Sequence, residues 1–343
     1  MKHLAPDCFR AFVCAMGGCP DSCCRAGWEI VIDQETRKLY EALPGPDGDS
    51  VRAAVIDGEE NLLRETNGVC VLLEPDGLCF CQKHFGHEAL CRVCREYPRY
   101  HREFGNLTEH GISLSCPTAF ALATAKAPTL EAWEDDAPIV PNELDPERYL
   151  TLRAGRDLAL RLLLDENRTL SDRIRLVLSL SKRIQDGMDG WTRTGKTACR
   201  RLSSPIGQKA ALREGRIRSY LREERAMLVH LARYYRTLEI LNPGWRAALS
   251  RFLDLADELP ADWASPDQPE VYARYLWFSL YKYWLDAADD GILLPRVRRS
   301  LSMTLLGLAM DRMIPGERSW LQRISREIEH CEDNLTGLAE LFR

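Results

Sequence analysis

Eleven of the thirteen cysteines in this chain of 343 residues fall before residue 117: Cys8, Cys14, Cys19, Cys23, Cys24, Cys70, Cys79, Cys81, Cys91, Cys94 and Cys116. Thiolates are soft ligands that suit zinc and iron–sulfur centres. Cys14 and Cys19 are separated by Ala15-Met16-Gly17-Gly18, and Cys19 and Cys23 by Pro20-Asp21-Ser22. Such spacings let the chain reverse between two ligands, so both reach one metal. The knuckle Cys91-Arg92-Val93-Cys94 does the same over a shorter span. Buried free thiols and redox-active pairs are the alternatives to metal ligation. A redox switch at the adjacent Cys23 and Cys24 is the weaker of these, because a disulfide between neighbours demands strained geometry. Four thiolates satisfy either a tetrahedral zinc ion or a four-iron cluster, and more than four are available. Spacing alone leaves open both the metal and whether there is one site or two.

Short, turn-rich elements must position these thiols. Residues 1 to 120 are interrupted by Gly17-Gly18, Pro44-Gly45-Pro46 and Pro75-Asp76-Gly77. The last of these sits between Val71-Leu72-Leu73 and Leu78-Cys79-Phe80, which predicts a small hairpin with cysteines at its base. Ile30-Val31-Ile32 reads as another short strand, and Asp33 as the N-cap of a helix over 34–43. An Asp-, Glu- and Pro-rich stretch from 131 to 146 reads as the linker.

Beyond it the period is helical. Ser171 is placed to cap a helix carrying Ile174, Val177, Leu178 and Ile184, and Leu228, Leu231, Ala232, Tyr235 and Leu238 form a second stripe. Further helices are expected over 271–289, 295–313 and 320–341, with Tyr275, Phe278 and Tyr281 as core. Cys331 falls on the seam Leu321, Ile324, Ile328, Cys331, Leu335, where it reads as a small core hydrophobe. The fold class expected is mainly α. A small irregular Cys-rich metal-binding domain over 1–130, with a short hairpin, packs on an α-helical domain over 147–343.

Composition narrows the function. With 45% hydrophobic and 28% charged residues the chain is globular rather than disordered. The 46 basic against 51 acidic side chains leave a net charge of −5, with no global basic field for a nucleic-acid partner. The local run Arg200, Arg201, Lys209, Arg213, Arg216, Arg218, Arg222 and Arg225 reads as a solvated helix face, with docking of an acidic partner as the alternative. Asp7 and Arg10 interrupt any signal-peptide core. No stretch reaches the roughly 18 apolar residues of a spanning helix, since Asp311 and Arg312 break the one from 301 to 314. A cytoplasmic location without a membrane partner is expected. No sequence feature specifies an oligomeric state.

The ordered run Phe12, Cys14, Cys19, Cys23-Cys24, Gly27-Trp28 and Asp33 continues with Cys70, Leu78-Cys79, Gly86, Cys94-Arg95-Glu96-Tyr97-Pro98-Arg99 and Leu114-Ser115-Cys116-Pro117. It resembles the flagellin lysine N-methylases. The double cysteine and the later Cys-Arg-x-Tyr-Pro are shared with a broader family of small proteins described as zinc- or iron-chelating. The resemblance covers residues 12 to 117 and, loosely, the closing segment 328–335. It implies S-adenosylmethionine-dependent methylation of lysine ε-amines on flagellin or a similar filament protein. It also implies an iron–sulfur cluster, 4Fe-4S with zinc as the alternative, held among Cys14, Cys19, Cys23, Cys24, Cys70, Cys79, Cys94 and Cys116. Cys8, Cys81 and Cys91 stand outside the family positions.

Polar methyl transfer needs a neutral amine, hence desolvation or a base. Asp33 and Tyr97 are the catalytic candidates, with Glu96 nearby; a cap, a packed ring and a solvated charge are their respective structural alternatives. Arg95 and Arg99 would bind the carboxylate of the cofactor or offset thiolate charge. No Gly-x-Gly-x-x-Gly follows a strand, which disfavours a Rossmann-type methyltransferase. The radical signature Cys-x3-Cys-x2-Cys fails because Ala26 stands where the third thiol belongs. His84, His87, His101 and His110 are read as hydrogen-bonded residues rather than ligands. The alternative function is a non-catalytic zinc- or iron-chelating or metal-delivery module.

Overall fold

A computed structural model of the chain describes residues 1–58, 61–139, 143–190, 197, 199–200, 202–213, 224–316 and 319–343. Among the described residues the expected helical half includes helices Pro146–Leu163, Leu170–Asp189, Pro205–Arg213, Glu224–Tyr235, Pro243–Leu255, Pro269–Tyr283, Ala287–Asp290, Leu294–Met313, Trp320–Ile328 and Glu332–Glu340. The Asp145 carboxylate accepts from the N–H groups of Glu147 and Arg148 at 2.8 and 3.0 Å, opening the first of these. Thr169, not Ser171, caps the second, because its hydroxyl accepts from Asp172 N at 3.2 Å. Pro269–Tyr283 and Leu294–Met313 are buried almost all round, with Tyr275, Phe278 and Tyr281 in the core.

Gly307 lets helix Trp320–Ile328 approach closely: a Cβ there would stand 2.5 Å from Leu321 Cδ2 and 3.1 Å from Leu321 Cγ. The helix expected over 320–341 breaks after Ile328 and resumes at Glu332. Cys331 therefore lies at the break, half-buried, with Sγ 3.7 Å from Glu239 Oε2, and is not the core hydrophobe its spacing implied. Of the basic run, Arg201, Arg216, Arg218 and Arg222 lie outside the described residues. Among the described residues no helix is long and apolar enough to cross a membrane.

The N-terminal third contains a four-stranded sheet that periodicity did not reveal. Lys2–Pro6 runs parallel to Leu107–Ile112 on one side and antiparallel to Leu130–Glu134 on the other. Arg99–Phe104 pairs antiparallel with the far edge of Leu107–Ile112. The stretch expected as a linker thus opens as a strand. A buried ion pair ties this sheet to the helices. Both terminal nitrogens of Arg156 donate to Glu109, each at 2.5 Å, and Arg156 lies 4.9 Å from the Tyr281 ring. A second tie joins Arg102 to Asp286.

Two hydrophobic clusters result. The larger joins the helices to Phe12, Ile112, Leu114 and Cys116; the smaller gathers Ile32, Tyr40, Val51, Leu63, Leu72, Cys81 and Cys91 beneath the thiol-bearing segments.

One histidine in the sheet makes stability depend on pH. His110 Nε2 lies 3.0 Å from His3 Nδ1, its ring stacks on Trp133 at 5.2 Å, and Asp135 sits 3.0 Å from the far nitrogen of His3. Burial, then the neighbouring His3, His101 and Arg10, push the His110 pKa down to about 4. An unfolded chain protonates this imidazole near pH ~6.5, where the fold still holds it neutral. Its contribution is thus complete above that value and is lost as pH falls toward 4. The urea midpoint is expected to drop between pH 7 and pH 5, and His110→Gln to shrink that drop. Equal drops in the two proteins would contradict the assignment.

Candidate functional site

Local backbone geometry gathers the cysteines. The first thiol segment folds as two tight turns, Met16–Gly18 and Cys23–Arg25, the second capped by Ser22 Oγ accepting from Cys24 N at 3.2 Å. Gly27 and Gly68 both take left-handed φ values of 73° and 77°, and Gly27 N donates to Gly68 O at 3.1 Å. That contact docks the first segment against strand Val69–Cys70. The predicted Pro75-Asp76-Gly77 hairpin forms in miniature: Gly77 N donates to Glu74 O, and Leu73 pairs with Cys79. Cys79, Cys91 and Cys116 each stand at the N-cap position of a helix, namely Phe80–Phe85, Arg92–Glu96 and Pro117–Ala125. Free backbone N–H groups there pull toward the thiolate, a pull that burial outweighs at Cys79 and Cys116.

The outcome is a single cavity of about 400 Å³ whose wall includes Cys14, Cys19, Cys23, Cys24, Cys70, Cys79, Cys81, Cys91, Cys94 and Cys116. Cys81 and Cys91 thus join the eight positions of the family pattern. Cys8 does not: it is buried beside Asp7, and burial with that carboxylate pushes its thiol up to about 12. Cys23, Cys24, Cys70 and Cys94 also border a smaller void of about 60 Å³, shared with Trp28 and Tyr97. The thiols surround a space rather than a point. Among the described residues no group of three or more His, Cys, Asp or Glu is arranged to hold a single metal ion.

Two thiols stand out electrostatically. A hydrogen bond from Cys23 draws Cys24 down to about 6 against the cost of burial, with Ser22 assisting. A hydrogen bond from Cys94 likewise lowers Cys91. Burial pushes Cys70 and Cys81 up to about 11 and raises Cys19, Cys79 and Cys116. Cys24 and Cys91 are thus the cavity thiols pulled toward the thiolate, among neighbours that burial holds toward the thiol.

The polar candidates are distributed unevenly. Tyr97 lines both voids; its hydroxyl is 3.0 Å from Ser115 Oγ, its ring meets Trp28 edge-on at 4.9 Å, and burial raises its pKa well above the ordinary value. Arg95 and Arg99 also line the larger cavity. Arg95 donates to Glu88 O at 3.3 Å, whereas Arg99 uses its donors on the carbonyls of Phe12 at 2.8 Å and Phe9 at 3.4 Å. Asp33 is a helix cap, accepting from Thr36 N at 2.9 Å and Thr36 Oγ1 at 2.7 Å, and is absent from the cavity wall. Glu96 is exposed and also outside that wall. Of the four candidate histidines, His87 lines the cavity, His84 pairs with Asp47 at 3.0 Å, and His101 and His110 lie in the sheet.

Sequence reasoning missed two side chains from the far end of the chain, Gln322 and Arg326, which hydrogen-bond to the backbone at Ser115, Asp21 and Ser22. Their signal in the sequence is only an i, i+4 spacing on the polar side of an amphipathic helix.

The flagellar biosynthetic protein FliU of Salmonella muenchen is 32% identical over 132 residues, covering 34% of this chain and 75% of FliU. The chain belongs to the FliU family. Two relatives named Lysine-N-methylase, from Salmonella typhimurium and Salmonella choleraesuis, are each 31% identical over 132 residues, again 34% of this chain but 32% of their own length. The chain thus spans about a third of these two methylases. No family model matches the chain. No solved structure matches it either.

Proposed function

We propose that this FliU-family chain methylates lysine ε-amines of a flagellin-like protein, drawing the methyl group from S-adenosylmethionine beside an iron–sulfur centre held by cavity thiols. The observation that carries this reading is the convergence of ten cysteines, from separate segments, on one cavity of about 400 Å³. Relatives named Lysine-N-methylase supply the reaction class. The donor set suits the group: soft sulfur ligands abound, and Trp28 Nε1, bordering the smaller void, is a buried donor without a hydrogen-bond partner. An iron–sulfur centre supplies Lewis-acidic and one-electron chemistry when bound.

The chain's own residues do the rest. Phe12, Leu72, Leu78 and Leu90 make the wall apolar, which disfavours an ammonium and favours the neutral amine that attacks a methyl group. Tyr97 stays a phenol, fixed on Ser115. The cavity volume lies in the range of small-molecule sites, ~300–1,000 Å³.

The same ten cavity thiols favour a second reading, a metal-chelating module without methyl transfer. Anaerobically purified protein is expected to carry iron and acid-labile sulfide, to bind S-adenosylmethionine, and to pass labelled methyl groups to flagellin lysines. Iron-loaded protein that neither binds S-adenosylmethionine nor labels flagellin would sink the methylase and leave the chelating module.

A further inference from the structure

We propose that helix Trp320–Ile328 is the positioning element of the cavity: Arg326 and Gln322, one turn apart on it, hold the first thiol segment and Cys116 in place from the helical half. Arg326 donates through Nη1 to Asp21 O at 2.8 Å and through Nη2 to Ser22 O at 3.0 Å. The same guanidinium lies 3.2 Å from the Asp21 carboxylate and 5.3 Å from the Trp28 ring. Those two carbonyls belong to consecutive residues between Cys19 and Cys23, so one planar fork sets the path of the chain through Cys19, Cys23 and Cys24. Gln322 Nε2 donates to Ser115 O at 2.7 Å, immediately before Cys116.

Arg326 is 6% and Gln322 2% exposed, which separates them from solvated helix-surface residues. The helix is itself braced from behind by Leu321, Ile324 and Ile328 in the core and by its close approach to Gly307. Arg326 and Gln322 act through the loops they hold rather than by touching substrate.

This inference rests on the cavity being the site, but not on what fills it, so its test uses the whole 343-residue chain freed of metal. Iodoacetamide labelling of each cysteine, mapped by mass spectrometry, reads loop position directly. Arg326→Gln is expected to speed labelling of Cys19, Cys23 and Cys24 by about tenfold or more, with Cys79 and Cys91 changed less than about twofold and the far-ultraviolet helix signal unaltered. Arg326→Lys is expected to fall between, because one ammonium cannot bridge two carbonyls as the fork does. It carries the same comparison if Arg326→Gln does not fold. In iron-reconstituted protein, both variants should alter the visible and paramagnetic resonance spectra, while Arg323→Gln, whose guanidinium lies over Trp320 at 4.8 Å, should not. Unchanged labelling at the three cysteines, or equal acceleration at all of them, overturns the proposal. Absence of methyl transfer by the wild-type protein would bear on the reaction and leave the labelling result standing.

Discussion

Glu109→Ala is expected to cost the fold about 3–5 kcal/mol, because it strands a buried cation. The carboxylate meets both terminal nitrogens of Arg156 at 2.5 Å, and Arg156 is 0% exposed. Its Nε already lacks a hydrogen-bond partner, and the remaining carboxylate, that of the solvated Asp157, stands 4.0 Å from a terminal nitrogen, so compensation is weak once Glu109 is gone. The Tyr281 ring at 4.9 Å offers a cation–π contact, smaller than the lost ion pair. Replacing both partners, Glu109→Leu with Arg156→Met, should restore most of the loss, since neither charge then needs solvation. Urea titrations of the two variants against the parent make the comparison. A single-variant loss under ~1 kcal/mol would mean that water reaches Arg156, against its burial.

The second large effect concerns metal content. In anaerobically purified protein, Cys23→Ser combined with Cys94→Ser should lower bound iron by more than about tenfold, since a serine oxygen is a harder and poorer ligand for iron or zinc. Both positions border both voids, which places them at the heart of the thiol set. Cys8→Ser should leave iron unchanged, because that thiol is packed beside Asp7 and lies away from the cavity wall. Iron lost on Cys8→Ser, or retained in the double variant, would remove the cavity as the metal site.

The helices were legible because burial on a 3.6-residue period leaves a wide apolar stripe, as at Tyr275, Phe278 and Tyr281. The strand Arg99–Phe104 was not. It reads Arg-Tyr-His-Arg-Glu-Phe, with charges on both faces, and its pairing partner is recognisable only once the fold brings the strands together. Leu107–Ile112 conceals itself similarly, since its buried Glu109 looks like a solvent-facing charge until Arg156 is found opposite.

At the site, residue type identified the thiols as a group, and the Pro75-Asp76-Gly77 turn was readable from local chemistry. Asp33 was readable as a cap for the same reason, and that role uses both of its oxygens. Arg326 could not be found this way: a basic residue on an amphipathic helix is ordinarily solvated, and only tertiary packing turns it toward Asp21 and Ser22.

The strand Lys2–Pro6 has a bearing on how the protein is made. Both of its neighbours, Leu107–Ile112 and Leu130–Glu134, come after the segment that carries Cys14 through Cys94. The sheet acts as a clasp on a loop of about a hundred residues, whose closure carries an entropic cost that only the finished strands offset. A ribosome delivers every thiol of that loop before the clasp can shut. Direction of synthesis therefore brings out the sulfur atoms first and closes their loop afterwards.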